Sequence, residues 1–195
     1  ARLAGNSFNI TDISVKEVQM GNHGTTTFYG DELITNGGFT SNTSGWTAQG
    51  SADLSSVGSG QSGDCLQILE DGGASPYTTS TSITVVAGRS YRASTWVKQG
   101  TESTWKWYVR DMSNSADIYA SDSAEATGSW VEHTHDFVAP SGCSSIQIWL
   151  QQICPSSAAT TLFFDTVSVK EIGVATGWTT ADAEPLIPQT ALMGM

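Results

Sequence analysis

Residues 161–172 read Thr-Leu-Phe-Phe-Asp-Thr-Val-Ser-Val-Lys-Glu-Ile, and this stretch decides how the rest of the sequence is interpreted. Val167 and Val169 alternate with polar residues, which is the period of a β-strand with one apolar face. A similar stretch occurs near the N-terminus, where residues 10–18 read Ile-Thr-Asp-Ile-Ser-Val-Lys-Glu-Val. The tetrapeptide Ser-Val-Lys-Glu is identical in both copies. Because such repeats are typical of tandem architectures, we expect each copy to close a module.

The repeat predicts how the chain is divided. Residues 1–30 would hold the terminal strand of a preceding module, at 8–18, followed by a Gly/Thr-rich junction. Residues 31–172 would form one complete module, and residues 173–195 a linker toward a following domain. We therefore expect the 195 residues to be a piece of a longer polypeptide.

Inside the module the sequence is typical of an all-β fold. Short alternating runs are separated by clusters of Gly, Ser, Asn and Pro, and no window carries a sustained helical period. A tight connection is predicted at 87–89 and a hairpin loop at 99–102, and the segment 121–128 could make a helical turn but is short and polar. The predicted strands lie near 31–35, 51–55, 64–70, 77–86, 89–99, 103–112, 117–120, 130–139, 143–152 and 161–172. This spacing predicts a β-sandwich.

The composition excludes several classes of partner. The chain has 8 Lys and Arg against 19 Asp and Glu, for a formal net charge of −11. A nucleic-acid partner is not expected, because phosphate binding needs a basic surface. No apolar run approaches the roughly 18 residues of a membrane span. The partners that remain are neutral polymers such as glycans, and other proteins.

Several motifs carry a resemblance to a known family. They are Leu-Ile-Thr-Asn-Gly-Gly-Phe at 33–39 with Gly45-Trp46, Ile-Thr-Val-Val-Ala-Gly-Arg-Ser-Tyr at 83–91 with Trp-Val-Lys at 96–98, Gly-Ser-Trp at 128–130, Phe-Val-Ala-Pro at 137–140, and the closing Phe-Phe-Asp-Thr-Val-Ser-Val at 163–169. In this order they resemble carbohydrate-binding modules of families 4, 9 and 22. The resemblance implies an all-β, galactose-binding-like jelly-roll β-sandwich, here with an extra N-terminal strand and an extended C-terminal tail. It also implies glycan binding as the usual activity.

The repeat and its junctions resemble a second group of proteins. Met-Gly-Asn-His-Gly at 20–24 and Thr-Gly-Trp-Thr at 176–179 are similar to the tandem modules of bacteriophage structural and tail-fibre proteins. This resemblance implies an adhesion module of a virion or an extracellular fibre, with a cell-surface or environmental glycan and homo-oligomer or fibre neighbours as partners. Two alternatives stay open: a purely structural spacer or assembly module, and an accessory module of a polysaccharide-degrading enzyme.

Two predicted strands offer a mixed aromatic and polar face. On 103–112 and 143–152 the more apolar alternate residues are expected in the core, since burying a large side chain contributes about 1.5–3 kcal/mol. In the usual jelly-roll order these strands are neighbours, and 117–120 lies beside them. Aromatic rings cover the C–H face of a pyranose, while amides and guanidinium groups bind its hydroxyls. The candidate glycan-binding residues are Tyr108, Arg110, Tyr119, Gln147, Trp149 and Gln151.

Other interpretations of these and nearby residues remain open. Trp149 could be covered by a loop or by a neighbouring module. His133 and His135 would share one strand face, but a zinc site needs a further ligand, so half-buried imidazoles are expected instead. The resemblance raises a structural calcium as the candidate cofactor, with Asp165 as a ligand. The acid that often follows the opening Phe is Thr40 here.

No enzymatic signature is found in the sequence. Glycoside hydrolysis needs two carboxylates that face each other across a cleft. Glu102, Glu125, Glu132 and Asp136 are instead expected in loops or on solvent faces. The sequence contains no nucleophile elbow, Walker loop, zinc knuckle or Rossmann fingerprint. We therefore expect a non-catalytic module.

The three cysteines, Cys65, Cys143 and Cys154, cannot all pair within the chain. Cys143 and Cys154 flank a predicted extended run that would hold them about 30 Å apart, so no disulfide between them is expected. At least one thiol should therefore be free or pair with another chain.

Overall fold

The computed structural model describes residues 28–155 and 159–173, and its regular secondary structure is all β. The strands are β1 (Trp46–Gln49), β2 (Ala52–Gly58), β3 (Asp64–Glu70), β4 (Tyr77–Ser80), β5 (Ile83–Thr84), β6 (Ser90–Gln99), β7 (Thr104–Asp111), β8 (Ala116–Ala120), β9 (Ala124–Glu125), β10 (Val131–Val138), β11 (Ser145–Gln152) and β12 (Thr161–Glu171). Within these ranges the chain has no helix that is long and apolar enough to cross a membrane. The first copy of the repeat, at 10–18, and the junctions at 20–24 and 176–179 lie outside the described residues. The division into modules therefore stays a prediction.

The strands form two antiparallel sheets. The seven-stranded sheet has the order β1-β4-β11-β7-β8, with β5 paired to β11 and β9 paired to β7. The five-stranded sheet has the order β10-β6-β12-β3-β2. The two sheets pack on one apolar core as a jelly-roll sandwich. The predicted all-β jelly-roll fold class is thereby confirmed.

The core follows the alternation in the sequence. In β6, β7 and β11 every second residue is buried between the sheets. Burial of each large side chain contributes about 1.5–3 kcal/mol, so it decides which residues of a strand face solvent. The fully buried rings are Trp105, Trp107, Tyr91, Phe39 and Phe164.

The first predicted strand is absent, because a side chain binds the backbone there. Residues 31–35 form no strand. Instead, the Glu32 carboxylate accepts hydrogen bonds from the backbone N–H groups of Leu33, Ile34 and Val169. The first strand that the structure describes is β1, which was not predicted because four residues are too short a run to establish a period.

The structure differs from the predicted elements at three other segments. The loop at 99–102 is not a hairpin, because it joins β6 and β7, which lie in different sheets. The segment 121–128 contains β9 in place of a helical turn, since the edge of β7 offers it backbone partners. The predicted strand 77–86 divides into β4 and β5, and between them the Thr81 N–H donates to the Gly45 carbonyl. Sequence alternation alone does not tell to which sheet a run belongs.

The closing strand β12 is interrupted where Gly37 meets it. Its register with β6 shifts between Asp165 and Ser168, and Thr166 there has a φ of 47°. The Val167 N–H donates to the Gly37 carbonyl at 2.9 Å. A Cβ at position 37 would overlap the Val167 carbonyl oxygen, so the absence of a side chain permits this approach. The Asn-Gly-Gly-Phe motif at 36–39 therefore has a glycine at position 37 because a side chain there would prevent this contact with β12.

The chain enters and leaves the sandwich at one place. Tyr29 and Ile172 form an antiparallel bridge. The Gly173 N–H donates to the Phe28 carbonyl at 2.9 Å. The two connections of the module therefore lie side by side at one end.

Candidate functional site

The outer face of the seven-stranded sheet carries a groove of about 220 Å³. We call the residues that line it the outer platform: Tyr77, Tyr108, Arg110, Asp117, Trp149 and Gln151. Strand β11 lies between β4 and β7, which places Trp149 opposite Thr79 on one side and opposite Tyr108 on the other. Strand β8 adds Asp117 beside Arg110.

Trp149 lies among three planar groups. Its ring stacks on the Tyr77 ring, with centroids 5.4 Å apart and planes inclined by 28°. The Tyr108 ring meets it nearly edge-on at 6.2 Å. The Arg110 guanidinium carbon lies over the Trp149 ring, 5.1 Å from its centroid. These contacts hold the indole in one orientation without a bound ligand.

Hydrogen bonds fix the polar groups of the same face. The Tyr108 hydroxyl donates to Gln151 Oε1 at 2.9 Å, and Gln151 Nε2 donates to the Ser75 carbonyl at 3.2 Å. The Trp149 indole N–H donates to Gln147 Oε1 at 3.2 Å. The side chains are therefore positioned before any ligand arrives, which lowers the entropic cost of binding.

The one arginine of the outer platform is neutralised within it. Arg110 donates to Asp117 Oδ1 at 2.8 Å and to the Ser115 carbonyl at 3.0 Å. Burial raises the pKa of Tyr108, and the charge of Asp117 raises it further. Tyr108 therefore keeps its phenolic proton at neutral pH. The groove offers donors and acceptors without a net charge from the Arg110–Asp117 pair.

Five of the six residues predicted for binding lie together on this face. They are Tyr108, Arg110, Gln147, Trp149 and Gln151. Tyr119 lies elsewhere, and its placement on this face was predicted incorrectly. The β7–β8 register shifts between Val109 and Arg110, which sets Tyr119 opposite the buried Val109. Its ring packs on Trp107 and His135, on the inner side of the sheet.

Two residues of the outer platform were not predicted. Tyr77 comes from β4, whose pairing with β11 cannot be read from the run Tyr-Thr-Thr-Ser, since no residue of that run marks an inner face. Asp117 was part of the predicted strand 117–120 but was not recognised as the partner of Arg110. The sequence signal for this ion pair was the acidic Asp117, which follows Arg110 by seven residues on the other side of a short turn.

Asp165 does not have the surroundings of a calcium ligand. Its Oδ2 accepts the Ser62 N–H at 3.0 Å and its Oδ1 accepts the Thr166 N–H at 2.6 Å. Burial raises the pKa of this carboxyl, and the hydrogen bonds oppose the rise. Among residues 28–155 and 159–173, no group of three or more His, Cys, Asp or Glu side chains could hold a metal ion. Calcium takes oxygen ligands, so at Asp165 it would have to displace the N–H groups of Ser62 and Thr166. Calcium binding stays an untested prediction.

The histidine pair is half-buried against aromatic rings. His133 meets Trp105 edge-on at 4.7 Å, and His135 stacks on Tyr119 at 3.7 Å. Burial lowers the pKa of both imidazoles, so both are neutral at neutral pH. This packing agrees with the expectation of half-buried imidazoles.

The three cysteines are buried free thiols. Burial raises the pKa of Cys65 and of Cys143 to about 11, with nearby carboxylates adding to the effect. Cys143 and Cys154 lie on either side of β11 and are not bridged in the structure. The raised pKa values keep Cys65 and Cys143 protonated at neutral pH, so these two thiols are poor nucleophiles there.

Solved structures of carbohydrate-binding modules share this fold. The CBM22-1 xylan-binding domain of Paenibacillus barcinonensis Xyn10C is 21% identical, with a TM-score of 0.55 over 75% of this chain and 97% of that chain. TmCBM61, solved in complex with β-1,4-galactotriose, is 17% identical, with a TM-score of 0.54 over 71% of this chain and 97% of that chain. At these identities the likeness concerns the fold alone.

A phage protein contains the same fold within a longer chain. The enzymatically active domain of tailspike protein 4 from bacteriophage CBA120 is 16% identical, with a TM-score of 0.58. The match covers 72% of this chain and 21% of the tailspike chain, so this chain corresponds to about a fifth of that structure.

The family is identified at the level of sequence. No curated protein sequence is significantly similar to this chain. The sequence model of the family described as "Carbohydrate binding domain" matches residues 31–157, which is more than half of the chain. The matched range includes the strands from β1 to β11, and with them the whole outer platform. The chain belongs to this family of carbohydrate-binding domains.

Proposed function

We propose that this chain is a non-catalytic glycan-binding module that serves adhesion in a virion or an extracellular fibre protein. The observation that carries the proposal is the outer platform, in which Trp149 is flanked by Tyr77, Tyr108 and Arg110. Membership of a carbohydrate-binding family supports the same activity.

The chemistry of the groove suits a sugar chain. The C–H face of a pyranose is apolar and packs on aromatic rings, here those of Tyr77 and Trp149. The ring hydroxyls need donors and acceptors in the same plane, which the amides of Gln147 and Gln151 supply. A groove of about 220 Å³ that is open to solvent suits a segment of a polymer.

The charges favour a neutral glycan. The Arg110 guanidinium forms an ion pair with Asp117 Oδ1 at 2.8 Å, which neutralises its positive charge. The chain as a whole carries a formal net charge of −11, which repels polyanions. We therefore propose a glycan without carboxylate or sulfate groups as the ligand.

Two observations support display on a fibre. The fold occurs within a phage tailspike chain, of which it makes up about a fifth. In addition, the adjacent strands at Tyr29 and Ile172 bring both connections of the module to one end. A module attached in this way projects to the side of a fibre, whereas an in-line spacer needs its connections at opposite ends.

Attachment to a polysaccharide-degrading enzyme is the second candidate. The xylan-binding domain of Xyn10C has the same fold over 75% of this chain. A hydrolase domain encoded in the same gene would favour this candidate, and a tail or capsid protein there would favour adhesion.

A glycan array with three proteins tests the binding proposal. The wild type should bind at least one neutral glycan, and the double variant Trp149→Ala, Tyr108→Ala should lose most of that binding. Trp96→Ala is the matched control, because Trp96 is a half-buried tryptophan on the outer face of the five-stranded sheet. Its binding should equal that of the wild type. If the wild type, displayed at high valency, bound no glycan, the module would be structural instead.

A further inference from the structure

A second cleft opens at the edge of the sandwich. There the strands β8 and β9 of one sheet face β10 of the other. The cleft has a volume of about 300 Å³. We call it the edge cleft, and its lining includes Trp105, Trp107, Tyr119, Ser121, Asp122 and His133.

The edge cleft is separate from the outer platform. Trp107 and Tyr108 are consecutive in β7 and therefore point to opposite sides of the sheet. Trp107 is buried on the inner side, whereas Tyr108 lines the outer groove. No residue is shared between the two linings.

The walls of the edge cleft are aromatic and held in place. The Trp107 and Tyr119 rings meet nearly edge-on, with centroids 5.6 Å apart. Tyr119 is fixed from its other side by stacking on His135 at 3.7 Å. The opposite wall is formed by the imidazole of His133, which packs against Trp105 at 4.7 Å. Trp105 and Trp107 are almost completely buried, so the half-buried rings of Tyr119 and His133 are the aromatic groups that a ligand in the cleft could contact.

Polar groups line the mouth of the same cleft. The Ser121 hydroxyl accepts the Trp107 backbone N–H at 3.0 Å, which leaves its own proton to donate. The Asp122 side chain is exposed and makes no hydrogen bond or ion pair to the rest of the described chain. A carboxylate beside a hydroxyl is a frequent partner for vicinal hydroxyl groups, because the carboxylate accepts and the hydroxyl donates.

One polar atom among the lining residues lacks a partner. Trp105 is 1% exposed, and its indole N–H finds no acceptor in the part of the chain that the structure describes. Buried donors are nearly always paired in native proteins, so this indole N–H is an exception among the described residues. The neighbouring imidazole of His133 stays neutral because burial lowers its pKa.

We propose that the edge cleft is a second binding site, which takes a single sugar unit, such as a monosaccharide or the end of a glycan chain. The half-buried rings of Tyr119 and His133 would contact the sugar ring, and Asp122 and Ser121 would bind its hydroxyls. The volume is at the lower end of the range of small-molecule sites, which fits one ring. Two sites on one module raise avidity for a surface that presents many chains. This proposal does not depend on binding at the outer platform.

The test is an NMR titration of the full chain, labelled with nitrogen-15, with D-glucose, D-galactose, D-xylose and N-acetyl-D-glucosamine. Concentrations should reach about 50 mM, because a ligand as small as one sugar ring is expected to bind with an affinity in the millimolar range. We expect at least one sugar to shift the indole N–H signals of Trp105 and Trp107 and the backbone signals of 121–124, with saturation.

Two variants decide whether those shifts report the cleft. Asp122→Ala should weaken the affinity at least tenfold. Asp53→Ala removes an equally exposed carboxylate from β2, at the far edge of the five-stranded sheet, and should leave the affinity unchanged. The proposal is overturned if no sugar of the panel shifts these signals, or if Asp122→Ala leaves the shifts as they are. Shifts confined to Tyr77 and Trp149 would support the outer platform and overturn the edge cleft. Saturable shifts confined to the edge cleft would support the edge cleft, and binding of longer glycans at the outer platform is decided by the glycan array.

Discussion

The ring of Trp149 stacks on the ring of Tyr77, which reaches it from the neighbouring strand at a centroid distance of 5.4 Å. The two residues are far apart in the sequence and meet only because β4 pairs with β11. Their contact builds the aromatic floor of the outer platform. Because each ring holds the other in its orientation, we expect the loss of either ring to weaken glycan binding.

Replacing Tyr77 tests this relationship. Tyr77→Ala removes the ring that supports Trp149, so we expect glycan affinity to fall about tenfold, which corresponds to about 1.4 kcal/mol. Tyr77→Phe keeps the ring and should bind as the wild type does. Isothermal titration with the best glycan from the array measures both. Equal binding by the alanine variant would remove Tyr77 from the site.

Replacing Asp117 should change which glycans bind. Asp117→Asn leaves the Arg110 guanidinium without its carboxylate partner, so we expect affinity for glycans that contain uronic acids, and this affinity should fall as salt is added. Asp136→Asn breaks a similar pair, with Arg92 on the other sheet, and is the matched control. Binding assays at low and high ionic strength compare them. An unchanged glycan preference in Asp117→Asn would contradict the role given to the pair.

The two glycines of the opening motif should differ in their tolerance of alanine. A Cβ at Gly37 would overlap the Val167 carbonyl, whereas a Cβ at Gly38 would meet no atom within 4 Å. We expect Gly37→Ala to lower the free energy of unfolding by about 3 kcal/mol and Gly38→Ala to leave it nearly unchanged. Urea denaturation measures both values. Similar stabilities of the two variants would mean that β12 does not need its close contact with the opening loop.

The half-buried histidines should make stability depend on pH. Burial lowers the pKa of His133 and of His135 in the folded state below the ordinary value of 6.5, although Asp136 opposes this for His135. The unfolded chain therefore binds protons first, and stability that is present above pH 6.5 is lost as the pH falls through the folded-state pKa values. We expect the melting temperature to decrease between pH 7.5 and 5.5.

The double variant His133→Gln, His135→Gln is the control for the pH effect. Its melting temperature should be nearly constant over the same interval, because the remaining carboxylates titrate at lower pH. A decrease as large as that of the wild type would assign the effect to other groups.

Calcium should have little effect on stability. The oxygens of Asp165 already accept the N–H groups of Ser62 and Thr166, and N–H donors cannot bind a cation. We expect the same melting temperature with calcium and with a chelator. A rise of several degrees on adding calcium would mean that the ion rearranges this loop and that Asp165 is a ligand.

The faces of the strands could be predicted from the sequence to a large extent. Trp105 and Trp107 alternate with Tyr108 and Arg110, and burial alone decides that the first pair is inside. The same reasoning correctly separates Ile148 from Trp149 in β11. The alternation holds because successive side chains of a strand point to opposite faces.

The contents of the candidate site were less predictable. Tyr119 has the same sequence pattern as the residues of the face, but a register shift between Val109 and Arg110 turns it inward. Tyr77 carries no apolar pattern and joins the site only through the pairing of β4 with β11. A shift of one residue moves a side chain to the other face, and no local signal reports such a shift.

The amino-acid sequence by itself determined the all-β class, the family and the face of each long strand, because these depend on composition, motif order and a local two-residue period. Only the tertiary structure decided that β4 pairs with β11 and where the register of β8 shifts, and therefore that Tyr77 supports Trp149, that Asp117 neutralises Arg110, and that Tyr119 lies in the edge cleft. These relationships depend on backbone hydrogen bonds between distant segments. Any strand can make such bonds with any other, so the sequence pattern of one strand does not select its neighbour.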